Sequence, residues 1–285
     1  MATFTNQATL SYNGVVTGSN IVTGEIVESL TAAKAAVSES YEAGGAVTYI
    51  ISLANASAAA VTGVTITDSL GAYSFGGQTL TPLTYRDGAV RYYADGVLQT
   101  APAVTAGDSL VISGITVPAN GNAVIVYTAD INGYAPLAEG STITNSAAIT
   151  AAGITNPITA AETITARSRA DIGIVKTLSP QTATRGSRIA YTFTISNYGS
   201  APLTAADNAV ITDTFNPALG NIAVTLDGTA LAEGAGYTYD EAAGAFAAAA
   251  GVLTVPAAQY TRNAATGEWT VNPGTAVLTV SGIIQ

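Results

Sequence analysis

The chain of 285 residues holds only two lysines, Lys34 and Lys176, and they stand 142 positions apart. Each lies in a run where apolar residues recur at every second position, the pattern of a half-buried strand. Residues two apart on a strand point to the same side, so Lys34 shares a face with Leu30, Ala32 and Ala36, and Lys176 shares one with Ile172, Ile174 and Leu178. The same reading sets Asp68 beside Val64, Ile66 and Leu70, and Asp213 beside Ala209, Ile211 and Phe215. Asn145 falls in with Ile143, Ala147 and Ile149, and Asn6 with Phe4, Ala8, Leu10 and Tyr12. One lysine, one aspartate and one asparagine are thus aimed at each of two cores.

A charged amine in an apolar core costs several kcal/mol unless it is paired or neutralised. Burial lowers a lysine pKa and raises that of an aspartate, which favours a neutral amine beside a protonated acid. Such an amine can attack the side-chain carbonyl of asparagine while the acid hydrogen-bonds to it and shuttles protons, and ammonia departs. The product is a Lys–Asn isopeptide bond, Lys34 to Asn145 with Asp68 as catalyst, and Lys176 to Asn6 with Asp213 as catalyst. Two other readings fit the same residues: a buried Lys–Asp ion pair with asparagine as a hydrogen-bond partner, and exposed residues unrelated to one another. Asn55 and Asn197 are alternative amides, although each ends a strand before small residues, as a turn cap does. Glu25 and Glu162 are weaker candidates for the acid, and Tyr49 and Tyr191 read as core residues with a partner for the hydroxyl.

Composition narrows the remaining chemistry. With no histidine and no cysteine, the chain offers no imidazole base, thiol nucleophile, thiolate zinc site or disulfide. A net charge of −10, with nine scattered basic residues, argues against nucleic acid. The acidic loops DNAVITD and YADG lack the spacing of a calcium loop, so no metal and no cofactor is expected. Trp269 with Tyr260 would suit a carbohydrate surface, and a lone tryptophan equally suits packing. Paired-carboxylate hydrolysis needs no histidine, but no nucleophile, base and orienter assemble for turnover chemistry. An enzyme is therefore not expected.

The elements that must hold these residues are strands. VTYIISLAN, GVTITDSL, AVIVYTADI and RIAYTFTISN alternate between turn signals, and no amphipathic helix is evident, although YDEAAGAFAAAAG (239–251) has room for a helical turn. The fold class expected is all-β, as two tandem immunoglobulin-like sandwiches. Lys34, Gly44, Tyr49 and Asn55 match Lys176, Gly186, Tyr191 and Asn197 at the constant spacing of 142, and AVIVYTADIN (123–132) matches AVLTVSGIIQ (276–285). The first sandwich takes residues 29–166. The second, 167–285, has no match for 133–166. FTNQATLSYNG (4–14), at the head of an N-terminal segment of residues 1–28, matches ITNSAAITAAG (143–153) at a constant offset of 139. Residues 1–28 thus read as a donor strand or hairpin, anchored by Phe4, Ala8, Leu10 and Tyr12, that completes the second sandwich. Closure within one molecule makes a compact monomer, and closure between molecules makes a head-to-tail homopolymer. Tandem sandwiches place their outer ends at opposite poles, which favours the polymer. A strand merely packed on the first sandwich is the plainer alternative.

Taken together, the lysine after the first strand, the strands Tyr49–Asn55 and Tyr191–Asn197, the T-D-x-L/F turns at Asp68 and Asp213, and the T-N-x-A stretches at Asn145 and Asn6 resemble the bacterial surface repeat family known as domain of unknown function eleven. The departure is Ala54–Ser57, where Asn-x-Gly is usual. The resemblance implies a structural role in a surface protein, similar to subunits of spore appendages: a fibre subunit at the cell or spore surface, with itself as partner and an anchoring or capping protein unidentified. An adhesin or glycan-binding stalk is the alternative. No apolar run reaches the roughly 20 residues of a membrane helix, so no membrane partner is expected. The N-terminus shows no charged segment followed by an apolar one, which points to export without a cleaved signal or to a signal already removed.

Overall fold

The computed structural model describes residues 2–26 and 29–285, the side chains of residues 2, 3, 25 and 26 excepted. Strands account for nearly all of its regular structure, and a single 3-10 turn at Ala205–Asp207 is the only helical element among the described residues. The alanine-rich stretch at 239–251 holds strand, turn and strand, because Gly244 takes a left-handed φ of 68° and turns the chain.

The N-terminal segment is a hairpin of β1 (Ala2–Asn6), β2 (Thr9–Tyr12), β3 (Val15–Gly18) and β4 (Val22–Ile26), with β1 paired to β4 and β2 to β3. It turns at Asn13 and Gly14, both left-handed (φ 47° and 80°), as tight hairpin turns require. The single strand expected from Phe4 onward is therefore interrupted. Ser19, opposite the break, gives its N–H to the Ala8 carbonyl, accepts the Ala8 N–H on its hydroxyl and takes the Gln7 amide on its carbonyl, so side-chain bonds stand in for part of the ladder at that point. Asn6 and Ala8 consequently do not lie on one continuous strand face. Phe4, Leu10, Tyr12, Val15, Val16 and Val22 are exposed, and so are Asn6 and Ala8.

The first sandwich begins with β5 (Leu30–Ala36), β6 (Ser40–Tyr41), β7 (Ala46–Asn55), β8 (Val61–Asp68), β9 (Tyr73–Phe75) and β10 (Gln78–Leu80). It continues through β11 (Leu83–Tyr85), β12 (Arg91–Ala94), β13 (Val97–Leu98) and β14 (Ala103–Ala106). It ends with β15 (Leu110–Val117), β16 (Asn122–Ile131), β17 (Thr142–Thr150) and β18 (Ile158–Ala166). One sheet runs β13-β12-β16-β7-β5 with β11 also on β16, and the other runs β14-β15-β8-β17-β18-β6. Their alternating inward residues meet in one core from Leu30 to Ala166. The β17–β18 hairpin is seated between β8 and the two-residue β6: Ala147 is opposite Asp68, and Asn145 is opposite Glu162.

The second sandwich comprises β19 (Ile172–Ser179), β20 (Arg188–Asn197), β21 (Thr212–Thr214), β22 (Leu219–Leu226), β23 (Thr229–Leu231), β24 (Tyr237–Asp240), β25 (Ala245–Ala248), β26 (Gln259–Arg262), β27 (Trp269–Asn272) and β28 (Gly274–Ile284). A sheet of order β19-β20-β28-β22-β23 faces a smaller one, β21-β25-β24, over a core from Ile189 to Val280. In the first sandwich β8 is flanked on both edges, by β15 and β17. Its counterpart β21 is paired on one edge only, with β25, among the described residues.

The β26–β27 hairpin joins the two sandwiches. The Arg262 guanidinium lies 3.8 Å from the centroid of Phe75 and 5.3 Å from that of Trp269, and it donates to the Tyr73 hydroxyl at 2.6 Å. Trp269 donates its backbone N–H to Gly133, and the Tyr260 hydroxyl binds the Tyr198 carbonyl. Trp269 thus packs at the junction with the first sandwich, whereas Tyr260 bonds within the second, and both rings remain half-buried.

Candidate functional site

In the first sandwich the three expected residues converge. Lys34 on β5 and Asp68 at the end of β8 have fully buried side chains, and Lys34 Nζ lies 2.6 Å from Asp68 Oδ2. The other carboxylate oxygen, Oδ1, accepts the Leu70 N–H at 3.0 Å, which fixes the aspartate to the turn that follows it. Asn145, on β17, is wholly buried. Its carbonyl oxygen accepts from the Gly71 N–H at 3.1 Å and the Ser69 hydroxyl at 3.3 Å.

A fourth residue completes the group. The Tyr127 hydroxyl on β16 donates to Asp68 Oδ2 at 2.6 Å and accepts from Asn145 Nδ2 at 2.9 Å. Its ring stacks on that of Tyr49, with centroids 5.4 Å apart, and Lys34 Nζ sits 4.8 Å from the Tyr49 centroid. Lysine and asparagine are thereby linked through one aspartate and one tyrosine. Sequence reasoning misses Tyr127, which looks like one more apolar residue in AVIVYTADI. The one signal that points to it is its place opposite Tyr49 in the β16–β7 register.

Burial pulls the Lys34 ammonium below its ordinary pKa, with the Asp68 charge and hydrogen bond opposing in part. Burial likewise pushes the Tyr127 phenol far above its usual range, with the Asp68 charge adding to the effect, so it stays a neutral donor. Glu162 is only partly buried and acts on Lys34 through its field, not by contact. The side chain of Glu25 lies outside the described residues. Asn55 and Asn197 are turn staples: each gives its amide to two or more backbone carbonyls, and the oxygen accepts the Ser57 N–H and hydroxyl in Asn55 and the Asp171 and Gly199 N–H groups in Asn197. Tyr49 is core, and its buried hydroxyl has no hydrogen-bond partner among the described residues.

In the second sandwich the pair is present and uncovered. Lys176 Nζ lies 2.5 Å from Asp213 Oδ2 and 4.4 Å from the Tyr191 centroid, yet its side chain is 41% exposed. Ile172, Ile174 and Val175 on the same strand are exposed as well, whereas Leu30 at the corresponding place on β5 is 2% exposed. Lys34 owes its burial to the strands beyond β8. Asn6 lies in the N-terminal hairpin, and no hydrogen bond joins it to the second sandwich among the described residues.

No family model matches the chain, so the motif resemblance to the repeat family stands without one, and no curated protein matches it significantly. Among solved structures, the major pilin SpaD of Corynebacterium diphtheriae shares 12% identity over 58% of this chain at a TM-score of 0.36, and this chain spans 41% of it. BcpA, the major pilin subunit of Bacillus cereus, shares 12% over 96% of this chain and 73% of its own, TM-score 0.36. The pilus backbone protein RrgB of Streptococcus pneumoniae shares 12% over 86% and 56%, TM-score 0.32. These are loose likenesses to pilus subunits, and the functional reading rests on the chain's own residues.

Proposed function

We propose that the chain is a structural subunit of a bacterial surface filament, located outside the cell on a cell or spore surface, and that it polymerises head to tail. The N-terminal hairpin of one subunit completes the second sandwich of the next. The observation that carries this reading is a match between two exposed surfaces. The hairpin's first arm, from Phe4 to Gly14, matches 143–153 without a gap and is identical to it at Thr5, Asn6, Ala8 and Gly14. The second sandwich, for its part, exposes the edge of β21 and the Lys176–Asp213 pair where β17 lies in the first.

The 139-residue offset sets the register. Ala8 takes the place of Ala147 opposite Asp213, Leu10 sits at the level of Ile211, and Asn6 occupies the position of Asn145 near Lys176. The return arm, β3 and β4, fills the place of β18. Burying Phe4, Leu10 and Tyr12 contributes about 1.5–3 kcal/mol each, and strand pairing satisfies the open edge of β21. Docking requires the Gln7–Ala8 break to straighten, releasing both groups from Ser19.

The same site supplies the covalent chemistry. Lys34 passes a proton to Asp68, its free amine attacks the Asn145 side-chain carbon, and ammonia leaves with the proton returned to it. One internal isopeptide bond per subunit results. Lys176, Asp213 and the incoming Asn6 repeat the reaction between subunits. No cofactor takes part, and the reaction is a single self-modification and not turnover.

Negative-stain electron microscopy of the full chain and of a truncation starting near Glu28 tests the assembly. Filaments are expected from the first only. Filaments formed by the truncation would refute the donor hairpin.

A further inference from the structure

Resting on the reading of Lys34, Asp68 and Asn145 as a self-linking site, we infer that the Asn145 amide is held in a two-ended clamp that makes it reactive. The Ser69 hydroxyl and Gly71 N–H form an oxyanion pocket at its oxygen, and Tyr127 is the catalytic proton relay to its leaving nitrogen. Three observations carry this inference. Both donors at the oxygen end come from the turn that begins at Asp68, so the residue that takes the lysine proton also fixes the pocket. Gly71 has a left-handed φ of 73°, and a Cβ there would lie 2.6 Å from Ile143, so its N–H reaches Asn145 only because the side chain is absent. The Tyr127 hydroxyl stands between Asp68 Oδ2 and Asn145 Nδ2 with hydrogen bonds to both.

The steps balance. Lys34–NH3+ gives one proton to the Asp68 carboxylate, and the amine forms the new C–N bond at the Asn145 carbon. Negative charge then develops on the amide oxygen, where the Ser69 and Gly71 donors meet it. The attacking nitrogen still carries one proton too many, and that proton passes to Asp68 once Asp68 has handed on its own, then leaves with the ammonia as ammonium. Asp68–COOH hands its proton to Tyr127 as Tyr127 hands its own to the departing nitrogen, so the tyrosine ends neutral. The C–N bond to that nitrogen breaks and ammonia leaves. The sum is an ammonium and an asparagine side chain converted to one secondary amide and one ammonium ion, with nothing oxidised or reduced.

The second sandwich keeps a hydroxyl at the oxygen end, on Thr214, but lacks the tyrosine relay and the glycine. In the alignment of the repeats Val280 stands where Tyr127 does, and Thr214 and Asn216 stand for Ser69 and Gly71. The internal bond is therefore the faster of the two, and a subunit locks its own fold before its joint to a neighbour becomes covalent.

The test is intact-mass spectrometry of freshly folded full-length chain, following loss of ammonia (about 17 Da) with time, with circular dichroism to show that each variant is folded. Wild type is expected to be fully shifted. Tyr127→Phe keeps the ring stack and should slow the loss about a hundredfold, and Ser69→Ala, which leaves Tyr127 untouched, by about as much. Val280→Tyr should accelerate the inter-subunit bond in assembled filaments. A folded Tyr127→Phe or Ser69→Ala that shifts at the wild-type rate overturns the clamp while leaving the cross-link intact. If Tyr127→Phe does not fold, Ser69→Ala decides alone. An unshifted wild type overturns the cross-link itself, and the clamp with it.

Discussion

Replacing both members of the buried pair, Lys34→Met with Asp68→Asn, separates a covalent site from an ion pair by sign as well as size. Removing one partner alone leaves a charge stranded with no solvent exposure, which costs about 3–5 kcal/mol whichever reading holds. The double variant strands no charge: methionine fills the lysine channel, and asparagine keeps the bond from the Leu70 N–H on its oxygen and turns its amide N–H toward the Tyr127 hydroxyl oxygen. For a plain ion pair the change is neutral or stabilising. For an isopeptide bond the variant loses a cross-link that closes the chain from residue 34 to residue 145. By the loop-entropy relation for cross-links, a loop of about 110 residues is worth about 4.8 kcal/mol. At roughly 3–4 °C per kcal/mol for a domain of this size, the first sandwich should melt about 15 °C lower. Differential scanning calorimetry of the full chain reads this as a fall of its highest-melting transition. An unchanged or raised melting temperature would refute the covalent constraint.

Other expectations concern the joint and the titration of the site. Lys176→Ala and Asp213→Ala should each abolish the multimer ladder on denaturing gels while keeping the internal mass loss. Leu10→Asp should raise the critical concentration for filament growth about tenfold or more, since it replaces about 1.5–3 kcal/mol of burial with a charge to be desolvated; sedimentation of filaments measures it. In Asn145→Ala, which cannot cross-link, Lys34 retains an amine whose pKa burial holds below its ordinary 10.5. Between the lowered value and 10.5 the unfolded chain binds the extra proton, so stability rises with pH across that window. Urea unfolding at about pH 8 and about pH 9.5 reads the rise; beyond about pH 10 the raised tyrosine pKa values of Tyr49 and Tyr127 act in the opposite sense.

Strand alternation makes much of this site legible. Lys34, Asp68 and Asn145 stand out because a charged or amide side chain on the apolar face of a period-two segment must be paired, bonded or neutralised, and the sheet register does bring the three together. Tyr127 does not stand out, because a tyrosine in an alternating apolar strand is indistinguishable from core until its hydroxyl has neighbours. The Ser69 and Gly71 donors are hidden for a related reason: a backbone N–H leaves no mark in a sequence beyond the glycine that exposes it. The N-terminal strand reads as continuous, since periodicity within residues 4–12 carries no information about Ser19, which captures Gln7 and Ala8 from the opposite arm. Trp269 and Arg262 are likewise out of reach, because their partners on the first sandwich, Gly133, Tyr73 and Phe75, lie more than 100 residues away.

Peptide mass spectrometry of boiled, gel-purified multimers tests the head-to-tail filament most directly. Digestion should release a branched species in which the peptide bearing Asn6 is joined to the peptide bearing Lys176, lighter than their sum by one ammonia, about 17 Da. Filaments that run wholly as monomer after boiling, with Asn6 and Lys176 recovered only on separate unmodified peptides, would contradict the covalent joint.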